Sequence, residues 1–469
     1  MRGVLQLEPH SCKCMTMKST DHERQAPVTP QSARLRNQFS VEAFGGGILK
    51  LADIDGDGEP ELLILQSAGQ LRCAFYTAPR LGLDECDRAL YCLTAVRLDG
   101  TVLWQDGTPY DRPGIPFSSH GGSQMVAVDD IDGDGQTEVL IIRNEHLVIL
   151  EGRTGKEQAS VALPADNYAT INTAQFGPPE KGRQILVKVN DQAYEPWEYS
   201  NPTIVYNADL SVYREPFGIR GAGHNMIARD FNGDGRDELL IGYSLLDHEL
   251  NEIWSIDFGP DFDYVKEHAD EIALAEVNDD GEMEIRYSGS KDFVASDLQG
   301  NLLWSTEAGH SQNSVQGPWG PGGEVRIIMN EKNQGLNGIS TTGEHLWNRT
   351  DINGYARRDV CWARGDGQTH WVIFQAQRKP TLDLPYESDP AWSRDLWPRL
   401  MDGDGQLYDV FPWDESYTLP QGTIRCHRSY DAGYVYQTIV ADLDGDGLDE
   451  VLVISRQWVW IFESPEAGE

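Results

Sequence analysis

The chain alternates short apolar, β-branched runs with acidic or glycine-rich breaks. Gln437 to Ala441 and Val451 to Ile454 are two such runs, too short for helices and bounded by turn residues, so they predict buried strands. Between them Asp442, Asp444 and Asp446 recur at every second residue, Gly447 permits a sharp bend, and Glu450 returns eight positions after the first Asp. That oxygen cage suits a hard cation. Its first half has the spacing of an EF-hand loop, but the last carboxylate comes at position 9 and a strand follows.

The strand–loop–strand unit repeats. Good copies of the loop occur at Asp53-Asp55-Asp57-Glu61, Asp130-Asp132-Asp134-Glu138 and Asp230-Asn232-Asp234-Glu238, with a fainter one at Glu276-Asn278-Asp280-Glu284. Intervals of roughly 45 to 50 residues place ligand-less copies between them. These run from Ala169 to Val189, from Gln312 to Met329, and from Arg358 to Phe374, where Trp362, Arg364 and His370 stand in place of ligands. Each unit continues into a second hairpin ending in tryptophan, as at Trp104, Trp304 and Trp347. Met401 to Tyr408 looks like a calcium loop, but its place in the repeat makes it an outer hairpin turn.

Four strands per unit and eight units predict an all-β fold, an eight-bladed β-propeller, with seven blades left open if one degenerate repeat is misread. The last unit ends after three strands at Phe462, so the segment from Arg36 to Ala43 is expected to close the ring as its outer strand. Residues 36–464 would form the propeller, with insertions near 79–91 and 378–398, and residues 1–35 a disordered or loosely attached segment. Tryptophans at the same place in successive outer hairpins read as core packing.

Composition narrows the partners. The net charge of −37 over 469 residues offers no basic stripe for nucleic acid. Only 10 of the 38 basic residues are lysine, a composition that suits a salt-rich setting. Seven cysteines (12, 14, 73, 86, 92, 361 and 426) show no zinc spacing. Cys86 and Cys92 are near enough for a local bridge, and free thiols fit equally well. No apolar run spans a bilayer and no leader-like segment opens the chain, so the expectation is a soluble monomer without membrane contact, cytoplasmic by default, with secretion left open.

The repeats resemble FG-GAP/VCBS calcium-binding propeller repeats such as those of integrin α-subunit heads. Gly223-His224-Asn225 ahead of Met226 to Gly235 more narrowly resembles the propeller polysaccharide lyases: the eight-bladed, calcium-binding rhamnogalacturonan lyases, and the seven-bladed ulvan and rhamnosyl-glucuronate lyases. The resemblance covers roughly residues 40–462. It implies several structural Ca2+ ions and β-elimination on a uronic-acid-containing, rhamnose-rich acidic polysaccharide or oligosaccharide.

If the acidic loops occupy one face, residues just before each first strand surround the funnel on the other. Those positions collect His120, Tyr168, His224, Tyr264, Lys266, His268, His310, Tyr355, Arg357, Arg358 and Tyr436, a concentration of His, Tyr and positive charge that would draw an anionic ligand. A uronate lyase needs a cation to offset the carboxylate, a base for the C5 proton and an acid for the leaving oxygen. His120 or His224 is the expected base or acid, with Tyr264 or Tyr355 as its partner. Arg357, Arg358 or Lys266 would hold the carboxylate, and His310, Tyr168 and Tyr436 would contact sugar. A histidine at a strand start also serves as an ordinary hydrogen-bonded loop residue. The same scaffold suits a glycoside hydrolase, or a non-catalytic calcium-dependent propeller that binds carbohydrate or protein.

Overall fold

Apolar runs buried on both faces make the inner strands of each repeat, and the polar–apolar alternation of the last run makes an outer strand with one wet side. In the second repeat, Glu138–Arg143 is buried almost throughout, whereas Glu157–Ala162 alternates half-buried and exposed positions. The computed structural model describes residues 30–67, 90–110, 125–165, 168–189, 202–260, 262–263, 267–276, 282–331, 335–352, 354–364, 367–376, 384–386, 394–417, 422–424 and 436–465. Eight four-stranded antiparallel sheets form the blades of a β-propeller, as the repeat count predicts.

Blade 1 runs from Ile48–Ala52 to Val102–Gly107, blade 2 from Val126–Asp129 to Glu157–Ala162, and blade 3 from Tyr168–Ala174 to Val212–Phe217. Blade 4 runs from Met226–Arg229 to Glu252–Ser255, blade 5 from Ala269–Ala275 to Leu302–Glu307, and blade 6 from Ser311–Gly317 to His345–Arg349. Blade 7 opens with the long hairpin Gly354–Arg364 and Gly367–Ala376 and ends with Arg399–Met401 and Leu407–Tyr408, so the Met401 to Tyr408 segment is the outer hairpin. In blade 8 the strands Gln437–Ala441, Glu450–Ile454 and Trp458–Glu463 are completed by Arg34–Ser40, which pairs antiparallel with the last of them.

The core is a ring of layers between blades: Leu63 and Leu93 of blade 1 meet Val126 and Val139 of blade 2, and Leu62 and Ile64 meet Leu452 and Ile461 of blade 8. The outer-hairpin tryptophans stitch neighbours together. Trp254, Trp304 and Trp347 donate their indole N–H to Leu298, Thr341 and Gly403 of the next blade at 3.1, 2.9 and 2.8 Å. At the ring closure two residues divide this work. Phe39 packs where an added Cβ on Gly100 would lie 2.8 Å from it, and Asn37 Nδ2 donates to Leu98 O at 2.8 Å.

The expected insertion near 79–91 falls almost wholly outside the described residues. Within the second, Leu384–Tyr386 pairs with Gly422–Ile424 as a separate two-stranded sheet. Among the described residues Cys92 and Cys361 are free thiols, and no helix is long and apolar enough to cross a membrane.

Candidate functional site

Two ends of the inner strands carry chemistry. At one end, the first two strands of blades 1, 2, 4 and 8 are joined by acidic loops of nearly identical construction. In blade 1, Asp53 accepts the Gly56 and Gly58 N–H groups, Asp55 that of Asp57, and Asp57 that of Glu59. Blade 2 repeats the pattern with Asp130, Asp132 and Asp134. The closing glutamates Glu61, Glu138, Glu238 and Glu450 are buried, each accepting the N–H of loop position 2. Burial, the neighbouring aspartates opposing further charge, pushes Glu61 and Glu138 up to about 7.

Donor atoms converge in Asp53, Asp55 and Asp57, in Asp130, Asp132 and Glu138, and in Asp442, Asp444 and Glu450. Arginine shares two of these loops: Arg97 Nη2 lies 3.0 Å from Asp55, and Arg36 Nη1 lies 3.0 Å from both Asp444 and Glu450. Blade 4 differs. Its converging group is Asp234, Glu238 and His248, while the Asn232 amide donates to Asp234 and Glu238. The blade 5 loop at residues 277–281 lies outside the described residues.

At the opposite end, three histidines meet one carboxylate. His224 lies two residues before the blade 4 inner strand, while His268 and His310 immediately precede those of blades 5 and 6. His224 Nε2 is 3.5 Å from Asp270 Oδ1; His268 and His310 Nε2 are 3.5 and 2.9 Å from Oδ2. Gln312 Nε2 donates to Oδ1 at 2.9 Å. Asp270 and Gln312 both sit where the register of their strand slips by one residue. Such a bulge re-aims a side chain that regular pleating would send elsewhere. A third slip, in blade 7, carries Arg357 and Arg358.

The backbone under the histidines is clamped. His268 N accepts no freedom: it donates to Ser290 Oγ at 2.9 Å, and its carbonyl accepts from Tyr243 Oη and Ser290 N, each at 3.0 Å. Gly223 approaches blade 5 so closely that an added Cβ would stand 1.8 Å from Ala269 O, at φ +62°. The wholly buried Lys188 donates from Nζ to Gly223 O at 2.7 Å.

Burial would raise the Asp270 carboxyl, but the charge of His268 and the closeness of the His224 and His310 imidazoles outweigh it and hold the group well below the usual carboxylate range. Asp270 Oδ2 and His310 Nε2 are buried and, among the described residues, lack a directed hydrogen bond despite their proximity. Ligand atoms of His224, His268 and Asp270 lie within 4.8 Å of one another. Two imidazoles, one anionic oxygen and a buried acceptor with capacity to spare fit a divalent cation.

Of the nominated residues, His224 and His310 are brought together here, whereas His120, Tyr264 and Lys266 lie outside the described residues. Tyr355 is buried at the blade 7 strand start with the Arg357 guanidinium 4.6 Å above its ring. Arg358 is exposed and, with Arg286 and Arg357, opposes the burial that raises Glu271. Tyr168 and Tyr436 are in the core; Tyr436 packs edge-on against Trp397 and donates to Tyr417 O at 3.3 Å. Asp270 was not nominated, although the His268-x-Asp270 spacing, echoed by His310-x-Gln312, could have marked it.

No family model matches the chain. It is 25% identical over 460 residues to the rhamnogalacturonan endolyase YesW of Bacillus subtilis strain 168, covering 86% of this chain and 64% of that protein. It is 24% identical over 409 residues to the rhamnogalacturonan exolyase YesX of the same organism, covering 79% and 60%. The chain thus spans under two thirds of the length of these curated relatives. The solved structures of YesX and YesW superpose with TM-scores of 0.55 and 0.53 at 15% and 16% identity, over 93% of this chain and 75% of each of theirs. The V. cholerae biofilm matrix protein Bap1 gives 0.53 at 12% identity, over 93% of this chain and 91% of its own. These likenesses share the fold.

Proposed function

We propose that the protein is a polysaccharide lyase that cleaves an acidic, uronic-acid-containing polysaccharide or oligosaccharide by β-elimination, with rhamnogalacturonan as the first substrate to test. The observation that carries this reading is the convergence of His224, His268 and His310 on Asp270, at the strand ends facing away from the acidic loops. Similarity to two rhamnogalacturonan lyases over most of the chain supports it.

β-Elimination needs the uronate carboxylate neutralised so that the C5 proton becomes acidic. His224, His268 and Asp270 would hold a divalent cation, which supplies that neutralisation when bound. Arg357 and Arg358 reach the same end of the inner strands on a bulge and bind the polymer's negative charge. His310, the most open of the three histidines, is placed to exchange a proton with substrate. His120, Tyr264 and Tyr355 stay candidates for the second proton transfer, and Lys266 for carboxylate binding. Asp53, Asp130, Asp230, Asp442 and their loops hold Ca2+ structurally in this reading, since the closing glutamates are buried within their blades.

The test is absorbance at the ultraviolet band of a new unsaturated uronate, screened over pectic, ulvan-like and gum-type polymers. A rise that disappears in His224→Ala and Asp270→Ala is expected. New reducing ends without absorbance would instead identify a hydrolase. Binding with neither would identify a recognition module.

A further inference from the structure

In several blades the penultimate residue of the second strand meets the next blade where its inner strand begins. In blade 2 that residue is Ile142, which shares an apolar cluster with Tyr168 and Ile171 of blade 3. In blade 6 it is Asn330, whose side chain donates to Ala356 O of blade 7 at 3.1 Å and accepts from Ala356 N at 2.9 Å. In blade 7 it is Gln375, whose amide oxygen accepts from Thr438 Oγ1 of blade 8 at 3.3 Å. Hydrocarbon thus fills the place where packing is all that is needed, and a neutral amide serves where polar atoms must be met. Blade 3 puts Lys188 there.

Leu186, two residues earlier and so on the same face, belongs with Met226 and Leu239 of blade 4 to one apolar cluster, and Lys188 stands at the edge of that layer with 1% exposure. Burying a polar head there costs free energy unless it is bonded, and Nζ donates to Val189 O at 3.0 Å and to Gly223 O at 2.7 Å. Ala356 lies within the blade 7 inner strand, whereas Gly223 lies ahead of the blade 4 inner strand, so a longer side chain than asparagine is what reaches it. The bond to Gly223 has a consequence for His224. Gly223 C=O and His224 N–H belong to one peptide plane. The N–H end donates to Ala269 O at 3.2 Å, and the C=O end accepts from Lys188. Held at one end, that plane would be free to tilt about its single bond. Held at both, it fixes the Cα from which the imidazole departs, with Nε2 3.5 Å from Asp270 Oδ1 and the ring edge-on to His268 at 5.0 Å between centroids.

We propose that Lys188 is a positioning residue for the three-histidine site: by holding the Gly223 carbonyl it orients His224, and so sets the geometry in which His224, His268 and Asp270 take a divalent cation. The inference rests on the reading of that cluster as the cation site of a lyase. Lys188 acts through His224, from the far side of the peptide plane. Gly223 completes the device, because a Cβ there would stand 1.8 Å from Ala269 O and break the close approach that the His224 N–H needs.

The test uses the full chain with Lys188→Met, which keeps the length and removes the donors, and Lys188→Gln, which keeps a donor on a shorter arm. Two quantities are read. One is the carbon–proton resonance of the His224 ring in histidine-labelled protein, assigned by its loss in His224→Ala. The other is the Co2+ dissociation constant, from the visible absorption that imidazole ligands give. In Lys188→Met the His224 resonance should move while that of His146, exposed in blade 2, stays in place. Co2+ binding should weaken about tenfold in Lys188→Met and about threefold in Lys188→Gln. Gly155→Ala, destabilised in the outer hairpin of blade 2, should leave both readings at wild-type values, which separates positioning from a general loss of stability. An unmoved His224 resonance or an undiminished Co2+ affinity in Lys188→Met overturns the proposal, as does an equal loss in Gly155→Ala. If Lys188→Met does not fold, Lys188→Gln decides by the same two readings. Neither reading involves substrate: both as expected in a chain that cleaves no polymer would overturn the lyase reading alone, and cleavage by wild type with neither change in the variants would overturn the role of Lys188 alone.

Discussion

Trp104 of blade 1 lies on Gly155 of blade 2 so closely that an added Cβ at Gly155 would come within 2.4 Å of ring carbon Cε3, while the indole N–H donates to Gly152 O at 2.7 Å. Gly155 has φ +67°, so the ring and the backbone both exclude a side chain. Gly155→Ala should cost about 2–4 kcal/mol, combining left-handed strain with overpacking. Gly259, at φ +83° with open space where its Cβ would stand, isolates the backbone share: Gly259→Ala should cost about 1–2 kcal/mol. Denaturant titration compares them, and equal losses would mean that the indole contact adds nothing.

Glu61 and Glu138 tie calcium to pH. Both are raised to about 7 by burial, so between about 4.5 and 7 the cation-free fold holds protons that the unfolded chain has released. Stability then falls as pH rises through that window. In chelator, the melting temperature should drop from pH 5 to pH 8. Millimolar calcium should flatten the slope, because a bound cation favours the ionised carboxylates. Parallel slopes in the two conditions would separate the loops from calcium.

His370 has the opposite sign. Its folded value of about 11 lies above the ordinary 6.5, so the stability it contributes is fully present below about 6.5 and is lost as pH rises through about 11. Asp359→Asn removes the partner that holds the charge. The variant should be less stable than wild type near pH 6, and the gap should close by about pH 11. Melts across that range would show a constant gap if Asp359 stabilised only by accepting the Trp319 indole N–H at 2.7 Å.

The propeller was legible because each blade repeats its signals at a fixed phase: Asp at alternate positions before the second strand, and tryptophan or a glycine turn at the outer hairpin. Closure was legible as a missing strand, although the division of the tryptophan's work between Asn37 and Phe39 left no sequence pattern. Position along a strand is readable, and side-chain direction is less so. Tyr168 and Tyr436 occupy the same strand-start positions as the histidines yet point into the core. Asp270 was hidden for the converse reason: it sits in the run Ala269–Ala275, where only a register slip turns it toward three imidazoles.

That slip makes Asp270 the residue on which the proposed chemistry turns. Among the described residues its carboxylate is the anionic group shared by His224, His268 and His310, and Gln312 already holds Oδ1. Asp270→Asn preserves shape and an oxygen to accept from Gln312, while removing the charge that favours a cation. Metal affinity measured by titration should weaken by roughly 100-fold, and turnover on a uronate polymer should fall with it. Because the native carboxylate is held ionised far below its usual range, wild-type activity between pH 5 and 8 should show no step from Asp270 itself. Full activity in the variant, with the same unsaturated product, would move the reaction centre away from the three histidines.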